Sequence, residues 1–395
     1  MFEQDLGKVM PVGRLGLIVM NGCTELGKKV DKHLVEWREN RRHEMEDKLS
    51  GMDYTRDSFI IPFEASRFGT GEGKARLKES VRGYDLYILV DVCNNALSYS
   101  IAGKLSFMSP DEHFQDLKRV ISAVGGVARR INVIMPFLYE GRQQKRDGIE
   151  SLDCAMMLRE LTAMGVDSIL TFDAHDARVQ NAIPMNGFEN IQPVYQFVKG
   201  LLDNVDDLEI DPEHLMVISP DEAGTGRAIY MANNLGVDMG MFYQRRDYSR
   251  YVNGRHPIVA NEFLGKDVSG KDLLIIDDMI SSGDSILDVA RELKHRGARK
   301  IFMCSTFGLF TNGLKKFDNA YEQGFFDKLL TTDLIYQSPE LLSKEYYINC
   351  GMGKYIAFFI EHMNHDASIS SLLKPSARIQ KNLERYRNKQ KEKQA

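Results

Sequence analysis

The densest run of chemically capable residues in the chain is Asp277-Asp278-Met279-Ile280-Ser281-Ser282-Gly283-Asp284-Ser285. Two adjacent carboxylates suit the neighbouring hydroxyls of a sugar, or a divalent cation, which prefers oxygen ligands. The turn from Ser281 to Ser285 lets successive backbone N–H groups point at one anion, and a helix start just beyond it favours phosphate. A phosphate site beside a polyol site describes a sugar phosphate. The plainer reading has Asp277 and Asp278 simply capping a turn.

Other clusters follow candidate strand ends. Tyr139 to Arg146 reads YEGRQQKR. Arg142 there offers a planar donor fork for phosphate, and Gln143 can read an adenine edge or phosphate oxygens. A solvent-facing basic loop is the competing reading. Asp173-Ala174-His175-Asp176 puts His175 at a strand end instead of on an apolar face. Metal contact through a neutral imidazole and contact with a polyphosphate are both open for it. No second nearby histidine supplies a hydrolytic zinc triad. Asp221 closes Ser219-Pro220-Asp221. The polar stretch from Gln244 to Asn261, with Arg245, Arg246 and Arg250, is long enough to be a mobile lid. Arg67 to Lys74, RFGTGEGK, is rich in glycine but fails the Walker A pattern because Ala75 follows the lysine; a hairpin turn fits it better.

These residues need elements to hold them. Leu273 to Ile276 is a continuous apolar run, the mark of a strand buried on both faces of a parallel sheet, and is expected to stop at the two acids. Ile286, Val289, Ala290 and Leu293 fall on one helix face, Gly297 suits the C′ position, and Ile301 to Cys304 starts another strand. The result is a βαβ unit, with ligands expected beyond the carboxyl ends of its strands. Similar strand patterns occur at 15–20, 59–63, 85–90, 131–136, 168–172, 215–219 and 239–243, with helices at 25–37, 114–124, 152–164, 193–205 and 224–234. The charged stretch 36–53 reads as a solvated face, 94–110 as a long loop, and the basic tail from Lys374 as a fraying helix.

At 395 residues the chain divides into two domains, each able to bury a core. A net charge of -5 makes no global case for nucleic acid. Five cysteines without CxxC spacing signal neither a disulfide framework nor a zinc site. No apolar run approaches a membrane span and no signal peptide is visible, so a reducing cytoplasm is expected.

The opening motif resembles the loop by which phosphoribosyltransferase-fold proteins hold the ribose 5-phosphate half of phosphoribosyl pyrophosphate (PRPP). RFGTGEG with ESVRGYDLYIL, then GRQQKRDG, then FDAHDARVQNAIP resemble, in order and spacing, the N-terminal half of the ribose-phosphate pyrophosphokinase (PRPP synthetase) family. The resemblance covers nearly all of residues 15–373, with insertions near 37–56 and 94–110. It implies an α/β fold of two tandem phosphoribosyltransferase-like domains, each a mainly parallel sheet flanked by helices. The expected bounds are 1–192 and 193–373, with a basic tail at 374–395, a C-terminal helix at 354–363 and a final strand at 367–373.

The implied reaction is ATP + ribose 5-phosphate → AMP + PRPP, with Mg²⁺ as cofactor and a homo-oligomer, a dimer or a hexamer, as the assembly. Carried over residue by residue, Phe68, Glu72, Arg142, Gln143 and His175 face ATP, and His175 and Asp221 hold the metal. Asp277, Asp278, Ser281, Ser282, Gly283, Asp284 and Ser285 face ribose 5-phosphate. Arg246 is the catalytic cation, with Arg245 able to assist. Three positions depart from the family: Gln244 replaces a lysine paired with Arg246, Thr70 replaces a carboxylate or amide, and Glu150 replaces an arginine near a regulatory region. The alternatives are a catalytically silent subunit, which Gln244 favours, and a phosphoribosyltransferase that consumes PRPP, against which the DAHD and GRQ stretches count.

Overall fold

A computed structural model of the chain describes residues 6, 9–42, 53–246 and 258–394. In chain order the first part holds β1 (Arg14–Val19), α1 (Thr24–Asn40), β2 (Phe63–Arg67), β3 (Gly73–Leu77), β4 (Tyr84–Leu89), β5 (Ser98–Ile101) and β6 (Lys104–Phe107). Next come α2 (Pro110–Val124), β7 (Arg130–Ile134), α3 (Asp153–Ala163), β8 (Ser168–Phe172) and β9 (Gly187–Ile191). The second part holds α4 (Val194–Asn204), β10 (Leu215–Ser219), α5 (Thr225–Leu235), β11 (Asp238–Arg246), β12 (Ile258–Leu264), β13 (Asp272–Ile280) and α6 (Asp284–His295). It continues with β14 (Ile301–Gly308), α7 (Lys315–Glu322), β15 (Lys328–Thr332), α8 (Pro339–Leu342) and β16 (Tyr347–Cys350). Then come α9 (Gly353–Asn364), α10 (Ser370–Leu373) and α11 (Ser376–Gln394).

Two compact units result. The first comprises 1–192, 333–336 and 351–374; the second comprises 193–332, 337–350 and 375–395. The residues from 351 to 374 thus pack with the first unit, not with the second as the sequence suggested. The cause is a buried ionic cluster. Arg38 of α1 and Arg41 just past its end, at 1% and 6% exposure, donate to the two carboxylate oxygens of Glu361 on α9 at 3.0 and 2.7 Å. Arg38 also donates to Asn364 at 2.6 Å, and Asn364 donates to buried Asp85 of β4 at 2.8 Å. The charged stretch read as a wet face therefore contains two buried arginines.

The first sheet is wholly parallel in the order β1-β4-β7-β8-β9. Ile60 adds an isolated parallel bridge to Leu17 on the side of β1 away from β4. The chain therefore leaves β1 in one direction and later returns to β4 in the other, a switch point. Two antiparallel hairpins, β2–β3 and β5–β6, stand as separate small sheets. The second replaces the long loop expected at 94–110. Its two-residue turn, Ala102 and Gly103 at φ 49° and 74°, has the left-handed pair that matches strand twist.

The second sheet runs β12-β11-β10-β13-β14-β15-β16, parallel except for the β11–β12 hairpin. Leu274 and Ile276 enter the core on one face of β13 and Leu273 and Ile275 the core on the other, as a doubly covered strand must. The strand does not stop at the acids. β14 continues to offer backbone partners, pairing Asp277 with Ser305 and Ile280 with Gly308. The strand expected at 367–373 is absent; α10 occupies its end. The tail expected to fray is α11, whose Ile379, Leu383 and Tyr386 are buried in the core of the second unit.

Candidate active site

The second unit has its own switch point. β10 leads through α5 to β11 on one side, and the later β13 lies on the other. Because β10 and β13 are adjacent and parallel, with Ile218 opposite Ile275, their carboxyl ends carry Asp221, Asp277 and Asp278 to one crevice. Asp221 accepts the Gly224 N–H on Oδ1 at 3.0 Å. Asp277 accepts the Asp278 N–H at 2.9 Å. Arg227, in the first turn of α5, brings a guanidinium nitrogen to 3.8 Å from buried Asp278. Burial, then the charges of Asp278 and Asp221, push the Asp277 carboxyl well above the usual range, against the pull of Arg227. Three carboxyl groups so close together, one of them with raised proton affinity, suit hydroxyl donors or a hard cation.

The Ser281–Ser285 turn follows β13 directly. Gly283 sits at φ 84°, and a Cβ there would lie 2.3 Å from the Phe317 ring. Only glycine fits so close an approach in the left-handed region. Ser281 is tied to the next strand's loop, its carbonyl accepting the Thr311 N–H at 3.0 Å and its hydroxyl 3.4 Å from that of Thr311. Ser282 Oγ accepts the Asp284 N–H at 3.5 Å. Asp284 begins α6, and Lys316, 2.5 Å away, holds its carboxyl below the usual range. The first N–H groups of α6 lack partners within the helix, so the turn opens onto an anion-binding helix start.

β11 continues past its expected end to Arg246, its backbone paired with β12: Gln244 with Asn261, Arg245 with Ala260 and Arg246 with Ile258. Met241 is the residue opposite Ser219 at the end of β10. The backbone of Arg246 thus overhangs the carboxyl edge of the sheet by about 16 Å at the rise of an extended strand. Residues 247–257, the rest of the expected lid, lie outside the described residues.

In the first unit, β7 and β8 are parallel neighbours. The loop with Arg142 and Gln143 and the segment with His175 therefore leave the same edge of one sheet. Arg142 and His175 are exposed. The Gln143 amide donates to the Ser151 carbonyl at 2.9 Å and so braces its own loop. Asp176, beside His175, is held below the usual carboxylate range by the Arg178 guanidinium. Phe68 and Glu72, both exposed, lie on the β2–β3 turn, apart from the main sheet; Thr70 donates to Glu72 at 2.9 Å. Glu150 accepts the Asp147 N–H at 3.2 Å.

Sequence reasoning gave no role to Arg227 or Lys316. A cation in the first turn after Asp221 was a usable signal for the former; the latter, 32 residues from Asp284, gave none.

The chain matches a family model described as the N-terminal domain of ribose phosphate pyrophosphokinase over residues 15–165 and the phosphoribosyl transferase domain over 186–342. It is similar to the ribose-phosphate pyrophosphokinase of Pasteurella multocida (strain Pm70), 26% identical over 313 residues that span 78% of this chain and 89% of that protein. The corresponding protein of Corynebacterium efficiens is 29% identical over 284 residues, 71% of this chain and 79% of the relative. Among solved structures, a phosphoribosylpyrophosphate synthetase from Mycobacterium smegmatis matches with a TM-score of 0.70 at 20% identity, over 90% of this chain and 100% of that one. At that identity the match speaks for the fold.

Proposed function

The chain belongs to the ribose-phosphate pyrophosphokinase family, and from that membership we propose that it makes PRPP and AMP from ATP and ribose 5-phosphate. The observation that carries this reading is the second unit's switch point, where Asp221, Asp277 and Asp278 meet the Ser281–Ser285 turn at one sheet edge. The 5-phosphate is read onto that turn and the start of α6, with Asp277 and Asp278 accepting from ribose hydroxyls. Raised proton affinity at Asp277 fits an acid made to face neutral hydroxyls.

The C1 hydroxyl oxygen attacks the β-phosphorus of ATP. The bond from that phosphorus to the α–β bridging oxygen breaks, AMP leaves with the electron pair, and the hydroxyl proton is released. Such transfers need positioning and charge neutralisation more than covalent help. Arg246, assisted by Arg245, is read as meeting the charge on the transferred group. Phe68, Glu72, Arg142, Gln143 and His175 are read as ATP contacts. The half-buried carboxylate of Asp221, beside Asp277 and Asp278, is chemically fit for Mg²⁺, and in the first unit the exposed His175 imidazole is chemically able to ligate a metal as well. Bound there, Mg²⁺ would neutralise triphosphate oxygens. A homo-oligomer in the cytoplasm belongs to the same reading; among the described residues no helix is long and apolar enough to cross a membrane.

The test is purified protein with Mg-ATP and ribose 5-phosphate, followed for AMP and PRPP. Their appearance in equal amounts is expected. Binding of both substrates without AMP would favour the silent-subunit reading, for which Gln244 speaks, and Gln244→Lys should then produce turnover.

A further inference from the structure

The β5–β6 hairpin, in the stretch expected to be a loop, has two faces that differ. Pairing of Ser98 with Phe107, Tyr99 with Ser106, Ser100 with Leu105 and Ile101 with Lys104 puts Tyr99 and Ile101 on one face. That face meets the β2–β3 turn. The Arg67 guanidinium lies over the Tyr99 ring, 5.3 Å from its centroid, and the Tyr99 hydroxyl donates to Glu112 at 2.5 Å. Arg67 makes a two-pronged bond to Asp116 at 2.8 and 2.7 Å, and Arg119 joins the same carboxylate at 2.7 Å.

A Cβ on Gly73 would lie 2.4 Å from Arg119 Nη1 and 2.6 Å from Arg67 Nη1, so this cluster presses on the backbone at one end of the turn. At its tip, a Cβ on Gly71 would lie 2.6 Å from Ile101 Cδ1. Between these two points the turn closes on itself, with the Phe68 N–H donating to the Glu72 carbonyl and the Gly71 N–H to that of Phe68, both at 2.8 Å. A lone two-stranded hairpin is marginal in water. Here α2 holds the strands through β3 and Asp116, and the second hairpin adds Tyr99 and Ile101 at the turn, leaving Phe68 55% exposed, an aromatic face open for stacking on a base.

We propose that the β5–β6 hairpin is a clamp that presets Phe68 and Glu72, and so sets how tightly the chain holds the base of its nucleoside triphosphate, with Tyr99 and Ile101 as positioning residues. This rests on the reading of Phe68 and Glu72 as adenine contacts.

The Met108 N–H donates to the Leu97 carbonyl at 2.9 Å, so residues 98–107 can be excised from the full chain and the gap closed with Gly-Gly. Loss of preorganisation should raise KM for ATP about tenfold, with kcat and KM for ribose 5-phosphate within about twofold. Ile101→Ala should raise it about threefold and Ile101→Val should restore it, which a merely structural loss would not do. Phe68→Ala separates the two claims. Unchanged KM for ATP in Phe68→Ala overturns the adenine reading and the clamp with it. A raised KM there, with native KM in the excised chain and in Ile101→Ala, overturns the clamp alone. Parallel losses in kcat and in both KM values for Ile101→Ala also overturn it.

Discussion

Replacing Gly283 by alanine tests the sugar-phosphate turn through its backbone. The residue sits at φ 84°, where an L side chain costs about 1–2 kcal/mol. The new methyl would also lie 2.3 and 2.6 Å from two atoms of the Phe317 ring. That ring is fully buried and meets Phe310 edge to face at 5.2 Å, so it has little room to withdraw. Overpacking of this kind costs about 1–3 kcal/mol. The sum, about 2–5 kcal/mol, must appear in one of two places. If the turn gives way, KM for ribose 5-phosphate rises about thirtyfold or more, since about 1.4 kcal/mol is tenfold. If the core gives way, the melting temperature falls.

The assay is therefore KM for ribose 5-phosphate at saturating ATP beside thermal denaturation, on Gly283→Ala, Phe317→Leu and the double variant. The cycle should return about 1–3 kcal/mol of coupling, the overlap part, and leave the backbone part in place. Native KM and native melting temperature in Gly283→Ala would refute the reasoning, because neither the left-handed turn nor the ring beneath it would then shape the site.

Three further outcomes are expected. Glu361→Gln leaves the Arg38 and Arg41 guanidiniums buried without a counter-charge, and it should cost about 3–5 kcal/mol in urea unfolding; a loss under about 1 kcal/mol would deny this cluster its role in holding α9 to α1. Burial pushes the Asp91 carboxyl up to about 7, so the folded state holds its proton more tightly than the unfolded one. That contribution is full below an unfolded pKa near 3.8 and is lost as pH rises through about 7. Stability relative to Asp91→Asn should fall between about pH 5 and 7, a difference in which the opposite contributions of buried His113, His362 and His365 cancel. A flat or rising difference would contradict the assignment. Arg246→Ala should lower kcat by about 10³–10⁵, and unchanged turnover would remove that residue from the chemistry.

Local patterns carried much of the fold. Leu273 to Ile276 could only be a strand covered on both faces, and Ser168 to Phe172 forms the strand its pattern predicts. What escaped depended on partners far away in the chain. Arg38 and Arg41 look like surface charges until Glu361 comes to them across 323 and 320 residues. The end of β13 was misjudged because pairing with β14, not apolar content, decides where the strand stops. Two signals were present and unused. Ser98 to Ile101 and Lys104 to Phe107 alternate around Ala-Gly, a hairpin pattern. Ile379, Leu383 and Tyr386 follow at i, i+4 and i+7, the stripe of a helix that docks. At the site, Asp277, Asp278 and the serine turn were legible because a short motif holds them; the place of Arg227 in the first turn after Asp221 was legible too, but its pairing with Asp278 comes only with the packing of α5 on β13.

The two units share a topology but not a crevice. In the second, the switch point between β10 and β13 is lined by the carboxyl groups of Asp221, Asp277 and Asp278 and followed by the Ser281–Ser285 turn. In the first, the equivalent point lies between β1 and β4, and the acid there is Asp91. Its two oxygens accept the N–H groups of Cys93 at 2.8 Å and Tyr336 at 2.7 Å. Asn94 caps the Gly22 carbonyl at 2.7 Å, and His113 binds the Asn94 carbonyl at 2.7 Å. These bonds tie the chain's own groups to one another across that crevice. What the first unit offers instead lies at the ends of β7 and β8 and on the β2–β3 turn: an exposed guanidinium, an exposed imidazole and an exposed aromatic ring. A flat base and a chain of phosphate oxygens match that set better than a phosphopentose does. The asymmetry therefore supports the proposed division, with the sugar phosphate at the second unit's switch point and the nucleotide at the ends of β7 and β8 in the first.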